Sequence, residues 1–171
     1  MIRRFPLSKA FPCIVRIVIA AAFFATVSMR AQPPRKDAAV THHAEGPFDV
    51  KTLPIAADSA TEGTAIGRYA LDKQYHGDLE ATGKGEMLGA GNPATGAAGY
   101  VAIEEVTGVL QGRKGSFALQ HFGSMGSGKF ELNVHVVPGS GTGELTGIDG
   151  KMTITNDAGK HAYALDYTLP Q

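Results

Sequence analysis

The chain has no tryptophan, a single cysteine among its 171 residues, and no glycine before residue 46. Each absence excludes something. Cys13 precedes the apolar part of the N-terminal segment, whereas a lipid-attachment cysteine would follow it. A body that starts beyond that segment has no thiol, which excludes a disulfide, a thiolate nucleophile and a cysteine metal site. A domain without cysteine suits an oxidising compartment. All 22 glycines lie between Gly46 and Gly159. This composition break leaves a body of about 125 residues, long enough for one core.

Acid is missing from the N-terminus as well. Arg3, Arg4, Lys9 and Arg16 stand with no acid among them, and Ile17 to Val27 is a run of 11 residues that is apolar but for Thr26. That run is short of the roughly 20 residues that span a bilayer but suits the apolar part of a secretory signal. Cleavage after Ser28 or Ala31 gives the expected organisation: signal peptide 1–31, flexible linker 32–45 and barrel domain 46–171. A periplasmic or secreted protein follows, with no membrane association after cleavage; retention of the segment as an anchor is the alternative.

The formal net charge of +0 hides an imbalance. Arg3, Arg4, Lys9, Arg16 and Arg30 leave with the signal, so 11 basic residues face 16 acidic ones, a difference of −5. A mildly acidic domain without a basic run argues against nucleic acid as a partner and against an anionic membrane surface.

Helix signals are nearly absent after Gly46, since glycine every few residues would cost a helix about 1 kcal/mol each. Short apolar and β-branched runs alternate with Gly-containing turns. The pattern predicts strands near Phe48–Leu53, Ala65–Tyr75, Leu79–Leu88, Ala97–Gln111, Ser116–Phe122, Lys129–Val137, Glu144–Thr146, Lys151–Thr155 and His161–Leu169. Gly89–Gly96 and Pro138–Gly143 read as loops. The fold expected is all-β: a single antiparallel β-barrel of about eight strands, because closure removes exposed edges. Gly108–Leu119 and Gly143–Ile154 share the pattern G-x-L-x-G-x-x-G followed by alternating apolar residues. Each reads as a hairpin, with turns at Arg113-Lys114 and Ile148-Asp149.

The runs Leu71–Glu80, Gly83–Leu88, Ala98–Glu104, Gly115–His121, Val136–Leu145 and Asp166–Leu169 resemble one bacterial family, domain of unknown function 3224. The resemblance covers Thr41 to Pro170. It implies a barrel similar to that of allene oxide cyclase and no established activity. The chain departs from the family in its export signal and at Gly126-Ser-Gly128, where a basic residue is expected.

The first hairpin allows a register argument. With Gly112 facing Gly115, Leu110 faces Phe117, Gly108 faces Leu119 and Val106 faces His121. Alternation then puts Tyr100, Ala102, Glu104, Val106, Leu110, Phe117, Leu119 and His121 on the core face. A carboxylate beside an apolar wall should have a raised pKa and could act as general base, with His121 or Tyr100 as acid or donor. Glu104 and His121 are therefore the catalytic candidates, and Tyr100, Glu104, His121 and Glu86 the ligand-binding candidates. Glu86 is included because Gly83 and Gly85 beside it could let a ligand approach, although glycines at these strand positions more often serve a turn or a barrel corner. A plain pairing of Glu104 with His121 as satisfied core groups is the structural alternative.

Other polar residues read as surface. Lys73 and Glu80 form a cross-strand pair if the turn is His76-Gly77. His135 faces out, His161 caps a strand, and His42-His43 is a surface pair at the linker's end. No two histidines have metal-ligand spacing, so no metal is expected. Gly139–Gly143 lacks the ending of a phosphate loop, the serines lack a nucleophile elbow, and no cofactor is expected. Tyr163, Leu165 and Tyr167 share one inward face. Three functional readings follow: a binder of a small, largely apolar molecule in the barrel mouth; an isomerase, cyclase or lyase using Glu104 and His121; and a homo-oligomeric interaction module packed through the outward Val101, Ile103 and Val109.

Overall fold

A computed structural model describes residues 40–55, 66–92 and 95–170. The expected signal peptide and the linker up to residue 39 lie outside the described residues. Eight strands follow one another: β1 (Thr41–Ile55), β2 (Gly67–Tyr75), β3 (Leu79–Asn92), β4 (Ala97–Leu110), β5 (Arg113–Gly126), β6 (Lys129–Val136), β7 (Asp149–Asp157) and β8 (Lys160–Thr168). Each pairs antiparallel with the next, and β8 returns to β1, closing a barrel. The expected architecture is the observed one.

Alternation explains the strands. Along β4, Ala102, Glu104, Val106 and Leu110 are buried while Val101, Ile103 and Glu105 are exposed, the period of two that a curved sheet with one inner face imposes. Leu110, Leu119 and Leu165 lose all their exposure, each contributing about 1.5–3 kcal/mol by burial.

Several sequence expectations need correction. β1 begins at Thr41, inside the segment expected as linker, because Thr41–Phe48 pair with His161–Thr168 of β8. β3 runs on through Gly89–Asn92, expected as loop, since these residues pair with Ala97–Tyr100. The first hairpin turns at Gln111-Gly112, not at Arg113-Lys114. Both residues have positive φ, 46° and 83°, the tight turn whose twist matches paired strands and which glycine at its second position favours. Leu110 therefore pairs with Arg113, Val106 with Phe117, Glu104 with Leu119 and Ala102 with His121. The slip is four residues, an even number, so every residue keeps its face. The second copy of the G-x-L-x-G pattern is not a hairpin. Glu144–Thr146, expected as strand, is not one, since Gly143–Leu145 form a turn of 3-10 helix, and Ile148, expected in a turn, is 1% exposed. An apolar residue at the tip was free to fold inward, and Leu145 and Ile148 join the core.

The two ends of the barrel differ. At one end, the connections β2–β3, β4–β5 and β6–β7 fold over the core. Thr142 donates its backbone N–H to Ser116 O at 2.8 Å, and Glu144 accepts from the Lys114 N–H at 2.8 Å. At the opposite end no described residue covers the core. Met125 and Phe130, in step with the buried residues of β5 and β6, are 41% and 62% exposed. β6 and β7 share only two residue pairs, Val134–Met152 and His135–Lys151, so the wall is thinnest there.

Candidate functional site

Glu104 lies on the inner face of β4 and has no exposed surface. Its reach across β3 depends on glycine: a Cβ on Gly83 would collide with the Glu104 carboxylate, and one on Gly85 would press on the β4 backbone. The sequence allows those two glycines either a barrel-corner role or room for a ligand near Glu86. They make room instead for this side chain, which crosses to β2. There Lys73 Nζ donates to Oε2 at 2.6 Å and Tyr75 OH donates to Oε1 at 2.9 Å. His121 Nε2, from β5, lies 3.1 Å from Oε2. Lys73 Nζ also sits 3.2 Å from Tyr75 OH and 5.2 Å from the centre of the Phe48 ring.

The expectation that Lys73 pairs with Glu80 on the surface is thus overturned. Tyr75 pairs with Ala81 and Lys73 with Gly83, so Lys73 shares the inward parity of Leu71 and Tyr75 and is 5% exposed. That alternation, Leu71-x-Lys73-x-Tyr75, was the available signal for both Lys73 and Tyr75, and the lysine's charge masked it.

The electrostatics also differ from expectation. Burial alone would raise the Glu104 pKa; the hydrogen bond to His121 and the charge and hydrogen bond of Lys73 outweigh it, and the carboxyl is held below its ordinary value. Tyr75 is pushed well up by burial and then by the Glu104 charge, so it remains a donor. A fully buried carboxylate with three partners is an anchored ion, not a poised base.

The second feature is a cleft of about 540 Å³ at the uncovered end, lined among others by Tyr69, Met87, Gly89, Ala98, Tyr100 and Met125. No described residue in its lining carries a charge. Tyr69 and Met87 belong to the same hydrogen-bonded row as Ala102 and His121, so the cleft opens just above the ion cluster. The Tyr100 ring lies across Gly123, where a Cβ would collide with it. Burial raises the Tyr100 pKa, keeping its hydroxyl protonated. Neither the Tyr69 nor the Tyr100 hydroxyl has a hydrogen-bond partner among the described residues.

The four sequence candidates therefore separate. Glu104 and His121 come together in the buried cluster, Tyr100 lines the cleft, and Glu86 joins neither. Glu86 lies on the outer wall, 2.8 Å from Arg68 Nη2. Val101 and Ile103 are 50% and 53% exposed on that wall, with Leu88 and Phe122 flanking Val101 in one row. His42 and His43 are strand residues: His42 stacks on Tyr167 at 5.1 Å, and His43 Nδ1 lies 2.7 Å from Asp166. His161 faces inward against Phe48. Among the described residues no three His, Cys, Asp or Glu are grouped to hold a metal ion.

The comparisons with known proteins bear on the whole barrel. A family model described as a protein of unknown function (DUF3224) matches residues 44–167. A crystal structure of a protein with unknown function from the DUF3224 family of Shewanella oneidensis MR-1 is 47% identical. It covers 77% of this chain and 100% of that one, with a TM-score of 0.71. No curated protein matches.

Proposed function

The chain belongs to the DUF3224 family of proteins of unknown function, and we propose that its barrel binds a small, largely apolar molecule in the cleft at the uncovered end. One observation carries the reading. Every buried side-chain nitrogen and oxygen among the described residues has a partner, so the Tyr69 and Tyr100 hydroxyls, which have none among those residues, are open to solvent in an uncharged, mostly apolar cleft. Ligand sites are mostly apolar, with a few placed polar groups, and Tyr69 and Tyr100 are such groups. Glu104 and His121 act beneath the cleft, holding its walls rather than touching the ligand. Acid–base turnover at Glu104 is disfavoured, because a general base must reach its substrate and this carboxylate is enclosed. A likeness to the allene oxide cyclase barrel would be one of architecture and would carry no chemistry. The basic, then apolar, N-terminal segment supports an exported protein that acts in the periplasm or outside the cell.

Native mass spectrometry on protein purified gently from the periplasm tests this. An extra mass, released on denaturation and absent from an Ala98→Trp variant whose cleft is filled, is the expected result. A bare protein mass in the wild type would contradict the reading.

A further inference from the structure

We propose that the cleft selects uncharged, flat aromatic molecules bearing a hydrogen-bond-accepting oxygen, such as an aromatic ketone or ester; this rests on the cleft being a ligand site. Three features of the lining converge on that class.

The first is charge. No described lining residue is ionic, and the nearby Arg68 and Glu86 pair on the outer wall of the barrel. An ion entering the cleft would lose water and gain no counter-charge.

The second is shape. Gly89 and Gly91 of β3 and Ala98 of β4 present little beyond backbone, with Gly91 opposite Ala98 and Gly89 opposite Tyr100. A surface with at most methyl groups is flat and suits a planar ring. Around it stand two phenol rings and the thioethers of Met87 and Met125. Aromatic rings prefer such neighbours through offset or edge contacts and sulfur–ring contacts. A saturated ring of similar size would gain apolar burial but not these contacts.

The third is the direction of the hydrogen bond. A phenol's lone pair is delocalised into its ring, so its O–H donates better than its oxygen accepts. Tyr69 and Tyr100 offer two such donors without protein acceptors among the described residues. A carbonyl or ester oxygen completes them.

The test uses a propionyl-(dimethylamino)naphthalene, a neutral naphthyl ketone whose emission moves to the blue in apolar surroundings. The chain's lack of tryptophan leaves its signal unobscured. Saturable blue emission should appear with the wild-type protein and vanish with Ala98→Trp. Acetylnaphthalene should then displace the probe about tenfold better than ethylnaphthalene, which lacks the oxygen, the worth of one well-made hydrogen bond. It should exceed naphthoate and cyclohexyl methyl ketone by at least about tenfold. In a Tyr69→Phe, Tyr100→Phe variant the lead over ethylnaphthalene should disappear while ethylnaphthalene itself binds as before. Equal displacement by naphthoate or the cyclohexyl ketone, or an unchanged lead in the double variant, would overturn the aromatic acceptor class and leave the cleft a ligand site. No blue emission and no binding of any of the four compounds would overturn the cleft reading itself.

Discussion

All five tyrosines of the chain sit on the inner strand faces, but the two halves of the barrel use them differently. In the covered half, Tyr75 OH donates to Glu104, Tyr163 OH donates to His76 O and accepts from the Leu79 N–H, and Tyr167 OH donates to Gln111 Oε1. At the uncovered end, the Tyr69 and Tyr100 hydroxyls have no partner among the described residues. One residue type on one face thus serves the fold in one half and is left available in the other. Among the described residues, what separates the halves is coverage: three connections and the buried Leu145 and Ile148 close one end, while Met125 and Phe130 remain exposed at the other.

Substitutions at the two ends should diverge accordingly. The largest effect is expected at the ion cluster. Lys73→Met removes the lysine counter-charge from buried Glu104, leaving it only Tyr75 and His121, and should lower stability by about 3–5 kcal/mol, read by urea denaturation. Lys73→Met combined with Glu104→Leu should recover most of it, since replacing both members of a buried pair by apolar residues is often neutral. A loss below about 1 kcal/mol for the single variant would mean that the pair is not coupled. Tyr163→Phe strips partners from the Leu79 N–H and the His76 carbonyl and should lose roughly 1–3 kcal/mol.

The pH dependence gives a smaller, directional check. The folded Glu104 carboxyl lies below its ordinary value of 4.5. Its stabilising contribution is therefore complete above that value and is lost as pH falls through the lower, folded one. Thermal denaturation between neutral and acid pH should show a shallower acid-side decline in the Lys73→Met, Glu104→Leu variant than in the wild type. Parallel curves would show that Glu104 does not contribute that decline. The smallest stability effect is expected at the uncovered end. Tyr100→Phe should shift stability by less than about 0.5 kcal/mol, because no described protein group depends on its hydroxyl; a loss as large as that of Tyr163→Phe would erase the distinction between the ends.

The barrel was legible in the sequence because period-two alternation survives errors in register. The hairpin turns at Gln111-Gly112, two residues before the pair that its glycine spacing suggests, yet the four-residue difference in register leaves Glu104, His121, Phe117 and Leu119 on the inner face. Lys73 was misread because its partner stands two strands away. Glu104 reaches it only across Gly83, a contact that no local pairing rule encodes. The apparent repeat misled for the opposite reason: Gly143–Ile154 copies the spacing of the first hairpin, but Leu145 and Ile148 were needed to cover the core. The division of Tyr100 from Glu104 was not legible either, since both share one strand face and only the covering of one end separates them.

A ligand that enters one half of the barrel and not the other has natural reporters in the five tyrosines. Fluorine NMR of 3-fluorotyrosine-labelled protein, titrated with acetylnaphthalene, should move the signals of Tyr69 and Tyr100, assigned by their Phe variants, and leave those of Tyr75, Tyr163 and Tyr167 in place. Movement confined to the latter three, or of no signal at saturating ligand, would contradict the account.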